Sequence, residues 1–450
     1  MSKEKVKVVR RPFAGYERSH NVAEDAELTH VGPATPCGEF MRRIWQPVAL
    51  SSELNGLPLA IRMLGEDLVL FRTRKGQPGL LARHCSHRGA SLEYGLPTDE
   101  GIQCCYHGWH YAVDGTILET PNDPDSQIKD KLCHGAYPTH EYKGIIFAYM
   151  GPPDDVPAFA ILDSYDQPDT DFVPFSLYFA CNWLQVLDNT QDPTHSCFLH
   201  TRVSGTQFAE SWGELPELDY VPTPYGMVNI NVRRWKDRIW VRTTEMMLPN
   251  VNQAGAMWLT AEDDVTFIQT ALTRWMRPID DTHTQMIGWR YFNDRVDPDH
   301  KGVKEDVGLG KIDFIGQTED ERPYHERQQV PGDYEAIVSQ RPIAVHALEN
   351  FNRGDRGVAM MRKLIRTNIR AVGNGEPYSS YPRNAAGTVP TYTVDTVVTV
   401  PENGGDDRAL MRSLGERISK ITFDSSELPI EKREAYFAER LADLMENIPG

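Results

Sequence analysis

Two short segments of this sequence carry paired sulfur and imidazole ligands. Cys85 and His87 are separated by one residue, and after sixteen further residues Cys104 and His107 are separated by two. Two thiolates and two imidazoles can hold a structural zinc ion, or a [2Fe–2S] cluster in which one iron takes both cysteines and the other both histidines. Zinc modules usually pair cysteine with cysteine and histidine with histidine, whereas each short loop here supplies one of each. The spacing therefore favours the two-iron cluster.

A second pair of possible metal ligands lies farther along the chain. His195 and His200 are five residues apart, and on a regular α-helix that spacing turns the two side chains about 140° away from each other. They can share one metal ion only if the helix is distorted or begins close to Pro193, a residue suited to a first helical turn. By itself this pair is weak evidence for a metal site, because two histidines at this spacing can also be ordinary surface or core residues.

Four segments of the chain must position these residues. Residues 1–35 are polar and rich in turn formers, and indicate an arm lying on a folded body. Residues 36–157 contain short β-type runs between Gly/Pro turns, and predict a small all-β domain that ends in a proline-rich linker. Residues 158–400 predict an α+β domain built on an antiparallel sheet. Residues 401–450 predict a polar tail that folds back on that domain.

The second domain and the tail contain elements with clear periodicity. Residues 228–232 alternate apolar and polar side chains, as a half-buried strand does. Residues 265–279 and 284–292 are strand-like and suit an antiparallel hairpin. Helical patterns are predicted around 188–200, from about 334 to 350, from about 355 to 371, and on a C-terminal helix that places Phe437, Leu441, Leu444 and Ile448 on one face.

Composition limits the possible partners of the protein. Its 450 residues include 47 Lys+Arg and 64 Asp+Glu, for a net charge of −17. Nucleic acid and anionic lipid are bound through excess positive charge, so neither is an expected partner. Seven cysteines are an ordinary content and odd in number, unlike a secreted disulfide scaffold. No segment has the apolar run of a signal-peptide core or a membrane-spanning helix, so we expect a cytoplasmic protein.

The cluster pattern and the residues around it resemble the Rieske non-haem iron oxygenase family. Residues 40–49, Phe-Met-Arg-Arg-Ile-Trp-Gln-Pro-Val-Ala, and residues 106–109, Tyr-His-Gly-Trp, are similar to the phthalate dioxygenase and aromatic O-demethylase branch. The resemblance extends over about residues 30 to 375. It implies an oxygenase α subunit of the α+β class, with an N-terminal all-β Rieske [2Fe–2S] domain and a C-terminal catalytic domain of the helix-grip type, an antiparallel sheet with helices.

The resemblance also implies which residues hold the metals. The ligands would be Cys85, His87, Cys104 and His107 for the cluster, and His195, His200 and Asp333 for a mononuclear Fe(II). Asp333 opens the segment 332–338, which is similar to the family's segment where an aspartate completes the iron triad. Glu335 and Asp188 remain alternatives for that carboxylate, and Asp333 could instead be an ordinary helix N-cap.

Asp192 has a different role in the resemblance. In the family, the aspartate three residues before the first iron histidine joins a cluster histidine to an iron histidine across a subunit boundary. Here these would be His107 of one chain and His195 of the next. A carboxylate that accepts an N–H from each imidazole fixes both tautomers and provides a short route for an electron. The alternative is that Asp192 only caps a helix.

The function implied by the resemblance is reductive activation of O₂. Electrons from NAD(P)H would enter through a separate reductase, since the chain shows no G-x-G-x-x-G after a strand. The substrate would be a small molecule, most consistent with a carboxylated aromatic compound that is hydroxylated, dihydroxylated or O-demethylated. The alternatives are N-demethylation or hydroxylation of another kind of substrate, and a non-catalytic Rieske electron-transfer protein. The relay between chains implies a homotrimer or a hexamer.

Several residues near the motifs have open interpretations. Arg202 could receive a substrate carboxylate, or could be an ordinary surface arginine. The side chains that could line a substrate cavity, or equally belong to the core, are Phe198, Met246, Met247, Trp258 and Trp275. Packing roles are predicted for four residues beside the ligands, Cys105, His84, His110 and Cys197.

Overall fold

The N-terminal segment lies on the folded body. The computed structural model describes residues 9–18, 22–384, 387–402 and 404–447. Two short helices precede the first sheet, α1 (Ala26–Thr29) and α2 (Pro36–Arg42). Arg366 donates hydrogen bonds to both Asp25 and Glu27. These ion pairs fasten α1 to a helix near the end of the catalytic part, as the turn-rich sequence of an arm predicts.

Short antiparallel strands follow and form three small sheets. Their bounds are β1 (Gln46–Leu50), β2 (Leu59–Met63), β3 (Glu66–Arg72), β4 (Pro78–Ala82), β5 (Leu96–Pro97), β6 (Gly101–Gln103), β7 (His110–Ala112), β8 (Ile117–Glu119), β9 (Ala136–Tyr137), β10 (Thr139–Tyr142) and β11 (Ile145–Ala148). The sheet orders are β1–β11–β10, β2–β3–β4–β9 and β5–β6–β7–β8. A separate small core of Phe71, Leu81, Ile102 and Tyr111 lies between the last two sheets. This part is all-β after α2, as predicted.

A large antiparallel sheet forms the centre of the remaining chain. Its strands are β12 (Asp171–Phe179), β13 (Glu217–Thr223), β14 (Gly226–Trp235), β15 (Arg238–Met247), β16 (Val251–Ala254), β17 (Val265–Ile268), β18 (Leu272–Asp280), β19 (His283–Phe292) and β20 (Val394–Thr399). Within the described residues the order is β12–β19–β18–β16–β15–β14–β13, and β20 joins β15 to β17. The predicted hairpin is β18–β19, which closes at Asp280 opposite His283.

The large sheet is covered on both faces, which the alternation in β14 did not indicate. Val228, Ile230 and Val232 are buried in one core, and the intervening Asn229 and Asn231 are buried as well. An alternating strand normally turns its polar residues to water. Here the polar face lies over a cavity inside the protein, so the same pattern describes a strand buried on both sides.

Helices lie on both faces of the large sheet. Their bounds are α3 (Trp183–Thr190), α4 (Thr194–Cys197), α5 (Tyr324–Gln329), α6 (Asp333–Val338), α7 (Arg356–Asn374), α8 (Asp407–Ser426) and α9 (Ile430–Glu446). The helix predicted from 334 to 350 is wrong beyond Val338. Arg341 has a φ of 98°, and Pro342 disfavours the helical conformation of the residue before it.

The last two helices pack against the large sheet. In α9, Phe437, Leu441 and Leu444 are buried in the core of the large sheet, while Ile448, predicted on the same face, lies outside the described residues. None of the helices described by the structure is both long and apolar enough to cross a membrane.

Candidate metal centres

The four cluster residues lie on two turns that face each other. Cys85 and Cys104 are buried, and the Nδ1 atoms of His87 and His107 are 3.1 Å apart. Each turn closes on a glycine in the left-handed conformation, Gly89 and Gly108, both with a φ of 75°. The glycine N–H donates to the carbonyl of the cysteine four residues earlier in each case. The two halves of the motif are therefore the same local structure, built twice.

The arrangement of these side chains fits a two-iron cluster better than a zinc ion. The Tyr111 hydroxyl lies 2.9 Å from the Cys85 sulfur, and the His87 ring stacks on Trp109 with centroids 5.0 Å apart. Four ligands of one zinc ion lie within about 4 Å of one another, given bonds of 2.0–2.3 Å. No three of the four side chains Cys85, His87, Cys104 and His107 bring their ligand atoms within 4.8 Å of one another in the described part of the chain. The pairing of two sulfurs and two imidazoles matches a Rieske cluster.

His195 and His200 face each other because the helix between them changes its type. The chain leaves α3 at Gln191 and starts α4 at Thr194, and a π-helix (Phe198–Arg202) follows directly. A π turn has a bond from residue i to residue i+5, so residues five apart come close to the same face. The two imidazole rings lie 5.2 Å apart. Of the two alternatives that the five-residue spacing allowed, a helix start near Pro193 and a distortion of the helix, the structure shows both.

The third member of this group is Asp333, at the first position of α6. Its Oδ1 lies 3.5 Å from Nε2 of His195 and 3.4 Å from Nε2 of His200. Burial opposes ionisation of Asp333, but the two imidazoles and Gln317 outweigh it and hold the pKa of the carboxyl group below its usual value. His195, His200 and Asp333 are the one group of three or more His, Cys, Asp and Glu side chains within the described ranges that converges closely enough for a metal ion.

The outer nitrogen of each imidazole is held by a hydrogen bond. His195 donates from Nδ1 to the carbonyl oxygen of Asp192, and His200 donates from Nδ1 to Oε1 of Gln207 at 2.7 Å. Both tautomers therefore leave Nε2 free toward Asp333, which is the form that binds a metal. The Asp333 carboxylate accepts hydrogen bonds from Gln317 at 2.7 Å and from Asn189 at 3.1 Å.

The alternative carboxylates are engaged elsewhere. Glu335 accepts the N–H of Gly332 at the start of α6 and pairs with two arginines at 3.5 Å. Asp188 forms a bidentate ion pair with Arg362, and burial raises its pKa to about 6 despite this partner. Neither carboxylate belongs to the group around His195.

Asp192 does not reach the cluster within one chain. Its Oδ1 accepts the N–H of Thr194, two residues farther on, at 3.0 Å, in a turn just before α4, whose N-cap position is Pro193. None of the hydrogen bonds or ring contacts of the described residues joins Asp192 or His195 to His107. The relay between chains therefore stays a prediction.

A cavity of about 720 Å³ opens beside the His–His–Asp group. The residues predicted as possible lining are not there. Met246 is in the core, and Phe198 and Arg202 are exposed. Met247 and Trp275 lie on the opposite face of the sheet. The cavity is lined instead by side chains that include Phe208, Trp212, Asn231, Arg233, Arg242, Asn252, Met257, Leu272, Arg274 and Phe314.

Three arginines in this lining were missed by sequence reasoning, and they differ in their partners. Arg242 pairs with the buried Asp395 at 2.6 Å, and Arg233 donates to Asn231 and Ser196. Arg274 donates from Nε to Asn252 at 3.1 Å. No oxygen acceptor for its terminal nitrogens is found among the described residues. The available signal was strand alternation, which puts Arg274 on the face opposite Trp275, but sequence alone does not say which face holds the metal.

The predicted packing roles are mixed in outcome. Cys197 is buried, and its thiol donates to the carbonyl of Glu214 at 3.1 Å. His110 hydrogen-bonds Thr98 at 2.7 Å. Cys105 and His84 are exposed beside the cluster turns, so packing is wrong for these two. The adjacent residues Cys85 and Cys104 are buried. Because adjacent residues on a tight turn point to opposite sides, His84 and Cys105 lie on the exposed side.

Comparison with known proteins decides the family. Residues 44–134 match the family model of the Rieske [2Fe-2S] domain. The chain is 43% identical over 454 aligned residues to the tert-butanol monooxygenase / tert-amyl alcohol desaturase oxygenase subunit of Aquincola tertiaricarbonis, covering 96% of each protein. The chain belongs to the Rieske non-haem iron oxygenases.

Other relatives of this Rieske oxygenase support the same assignment. It is 34% identical to the phenoxybenzoate dioxygenase subunit alpha of Ectopseudomonas oleovorans, over 78% of this chain and 86% of that protein. The crystal structure of dicamba monooxygenase bound to dicamba has the same fold, with a TM-score of 0.56 at 18% identity, covering 75% of this chain and 100% of that one. The predicted fold class is confirmed.

The family membership establishes the cofactors and the broad activity. The Rieske oxygenase uses a [2Fe–2S] cluster and a mononuclear iron. It is the terminal oxygenase component of a multicomponent system, which takes electrons from a separate reductase and reacts with O₂. The alternative of a non-catalytic electron-transfer protein is set aside, because the relatives are named as oxygenases.

Proposed function

We propose that Cys85, His87, Cys104 and His107 hold the Rieske cluster and that His195, His200 and Asp333 hold the mononuclear iron. The paired sulfurs and imidazoles support the first assignment. The convergence of two Nε2 atoms and one carboxylate oxygen supports the second. When bound, the iron supplies the reduction of O₂ and the transfer of oxygen to the substrate.

We further propose that the substrate is a small aromatic carboxylate, which is hydroxylated, dihydroxylated or O-demethylated. The observation that carries this is Arg274, which lines the cavity and whose Nη1 has the sulfur of Met286, at 3.9 Å, as its acceptor rather than an oxygen. Burial lowers the pKa of Arg274 to about 10, against the opposing effect of Asp333. The guanidinium is therefore still charged near neutral pH and can bind a carboxylate through two parallel hydrogen bonds.

The remaining side chains of the cavity would orient the substrate and exclude water. Phe208 and Phe314 form an aromatic corner, with ring centroids 5.8 Å apart, on which a substrate ring can stack. Phe208 also lies 5.5 Å from the His200 ring. A ring held there, with its carboxylate on Arg274, would lie beside the open side of the proposed iron site.

The test of this substrate class is the variant Arg274→Met. Loss of a charge-assisted hydrogen bond costs about 1.5–3 kcal/mol, so we expect KM for an aromatic carboxylate such as phthalate or 4-methoxybenzoate to rise about 10- to 100-fold. The corresponding amide should show little change in KM. Arg202→Met changes an arginine outside the cavity and is the matched control. An equal effect of Arg274→Met on acid and amide would contradict the carboxylate assignment.

A second candidate is hydroxylation of a short branched alcohol. It is favoured by the relative named tert-butanol monooxygenase, which is 43% identical along nearly the whole chain. A tertiary alcohol is uncharged and could accept a single hydrogen bond from Arg274. Product analysis by mass spectrometry separates the candidates when the holoenzyme, a compatible reductase, NADH and O₂ are incubated with phthalate, methoxybenzoates, phenoxybenzoate, tert-butanol and methylamines. Formaldehyde release would indicate demethylation of oxygen or nitrogen.

We also propose the domain limits and the assembly that the sequence implies. The Rieske domain would span residues 36–157 and the catalytic domain residues 158–400, with the tail completing the latter. A homotrimer or a pair of stacked trimers would bring His107 of one chain to Asp192 of the next. The partly buried carboxylate of Asp192 supports this, because it stays accessible to a neighbouring chain, although His195 donates to the main-chain carbonyl of Asp192 within one chain.

A further inference from the structure

A second cavity, apart from the one beside the proposed iron site, has the apolar and aromatic lining with a few polar groups that is usual for small-molecule sites. It lies between the first small sheet and the large sheet, and is closed by the segments 157–165 and 378–383. We call it the reverse-face cavity. Nothing in the proposed oxygenase reaction uses it.

Strand alternation separates the reverse-face cavity from the iron cavity. Arg274 and Asn252 line the cavity beside the histidines. Their chain neighbours Trp275 and Val251 line the reverse-face cavity. Successive side chains of a strand point to opposite faces of its sheet, so the sheet itself divides the two cavities. A ligand in one does not occupy the other.

The walls of the reverse-face cavity are aromatic. Phe147 lies between Phe159 and Trp275, with ring centroids 4.9 and 5.4 Å from its own, and Trp45 lies 6.0 Å from Phe159. Tyr381 also contributes to the lining. Edge-to-face arrangements dominate these pairs, which leaves flat ring faces for stacking. The shape and chemistry of the walls suit a flat aromatic ligand.

Two arginines give the lining a positive charge. Arg43 and Arg383 both line the cavity. Arg43 lies 3.4 Å from the largely exposed Asp155, and its Nε is buried with no hydrogen-bond partner in the described part of the chain. Arg383 donates to the carbonyl of Phe159 at 3.0 Å. The contacts described for these guanidinium groups are one solvated carboxylate at Arg43 and one carbonyl oxygen at Arg383, so their positive charge favours an anionic ligand.

We propose that the reverse-face cavity is a second binding site, which takes a planar aromatic carboxylate. The ring stacks among Trp45, Phe159 and Trp275, and the carboxylate accepts hydrogen bonds from Arg43 and Arg383. Trp275 is the neighbour of Arg274 on β18, so a ligand here contacts the same strand that lines the iron cavity from the other side. The proposal does not depend on the substrate class assigned above.

The test is calorimetric titration of the holoenzyme with 2-naphthoate, without reductant so that no turnover occurs. We expect a saturable binding phase that persists in Arg274→Met, where binding in the iron cavity is weakened, and that is about tenfold or more weaker in Arg43→Gln/Arg383→Gln, because charge-assisted hydrogen bonds are lost. It should be absent in Ala160→Trp, which fills the cavity. The neutral analogue 2-naphthamide should bind wild type about tenfold more weakly than 2-naphthoate and should not distinguish wild type from the double variant.

Two control variants test whether 2-naphthoate binds in the reverse-face cavity and not elsewhere on the protein. Arg440→Gln removes an exposed arginine on α9 and should leave the binding phase unchanged. Arg274→Met removes the arginine of the iron cavity and should also leave it unchanged, so a phase lost only in Arg274→Met would overturn the proposal. Absence of saturable binding to wild type, or unchanged binding to the double variant, would overturn it as well. The Rieske electron paramagnetic resonance spectrum checks that each variant is folded, and if Ala160→Trp is not, the double variant decides.

Discussion

At the scale of single residues, the group around Asp333 depends on two glutamines. Gln207 accepts the Nδ1–H of His200 and donates from its amide to the carbonyl of Ile315 at 2.8 Å. Gln317, two residues after Ile315, donates a hydrogen bond to the Asp333 carboxylate. One short stretch of chain therefore holds two of the proposed ligands in position. Such outer partners orient metal ligands and strengthen their binding.

The first prediction concerns these two side chains. Gln317→Leu and Gln207→Leu should each weaken binding of the mononuclear iron by about 10- to 100-fold, because each leaves a proposed ligand without its orienting hydrogen bond. The measurement is Fe(II) affinity, from competition with a chelator, on protein whose Rieske spectrum is intact.

Gln328→Leu changes an exposed glutamine on α5 and serves as the control, with an affinity equal to that of wild type. If iron binds equally well to Gln317→Leu and to wild type, the hydrogen bond to Asp333 has no part in holding the metal.

At the scale of elements, the tail is joined to the catalytic part by a buried ion pair as well as by apolar packing. Arg433 on α9 donates to Asp163 and to the carbonyl of Ser426, and both members of the pair are almost fully buried. Asp163 also accepts the N–H of Thr391 at 3.0 Å. Burial raises the pKa of Asp163, and the positive charge of Arg433 opposes this shift. Removing one partner leaves a buried charge without compensation.

The second prediction follows from this pair. Arg433→Met should lower the free energy of unfolding by about 3–5 kcal/mol, measured by urea denaturation followed by circular dichroism. The double variant Asp163→Asn/Arg433→Met should recover a large part of the loss, since no unpaired charge remains. Arg440→Met, on the exposed side of the same helix, should change stability by less than about 0.5 kcal/mol. Equal losses in the single and double variants would assign the effect to packing alone.

The loop between α6 and α7 carries a histidine that is held neutral. Burial is the main cause that lowers the pKa of His346 to about 4. The positive charges of Arg362 and Arg366 lower this pKa further, and the negative charges of Glu349 and Asp25 oppose the shift. The ring Nε2 is buried without a hydrogen-bond partner among the described residues. An unfolded histidine titrates near pH 6.5, so between pH 6.5 and about 4 the unfolded chain binds one more proton at this site.

The third prediction is the resulting pH dependence. A group with a depressed folded pKa stabilises the fold above its unfolded pKa and loses this contribution as pH falls. As the pH falls from 6.5 to 4.5, the free energy of unfolding should therefore decrease less steeply in His346→Gln than in wild type. The two slopes should differ by up to about 1.4 kcal/mol per pH unit. His325→Gln changes an exposed histidine and should follow the wild-type slope. Identical slopes in His346→Gln and wild type would show that the residue is protonated in the fold.

At the scale of the whole molecule, one chain contains both proposed metal sites, and no contact between them is described. The proposed relay through Asp192 would therefore require a second chain, and a closed head-to-tail ring would give every proposed cluster site a neighbouring iron site. Such a ring of three would contain three chains of 51.0 kDa.

The fourth prediction is complementation between two inactive variants. Cys104→Ala removes a proposed cluster ligand and His195→Ala a proposed iron ligand, so each variant alone should be inactive. Mixed rings of three, co-expressed with two tags and purified on both, contain one interface of the three that joins an intact cluster site to an intact iron site, so they should regain about a third of wild-type activity. No recovery in purified mixed oligomers would mean that electrons pass within one chain. Sizing of the wild-type protein distinguishes a trimer from a hexamer.

The sequence by itself determined the parts of this protein whose residues are close together along the chain. Each pair of cluster residues sits on one tight turn, and the turn fixes its own geometry through a glycine four residues after the cysteine. The hairpin of β18 and β19 and the helix α7 were predicted for the same reason. Their hydrogen bonds and apolar periodicity are local. The family resemblance also pointed to Asp333 before its contacts with the two histidines were known.

The tertiary structure decided what depends on contacts between distant segments. The family resemblance favoured Asp333 and left Asp188 and Glu335 as alternatives, and only packing brings Asp333 to the histidines while arginines pair with the other two. The same holds for the cavity. A strand pattern assigns Arg274 and Trp275 to opposite faces, but the side on which the metal lies follows from how helices and sheet pack. Local spacing cannot carry this information, because the register and packing of distant elements determine which face meets which.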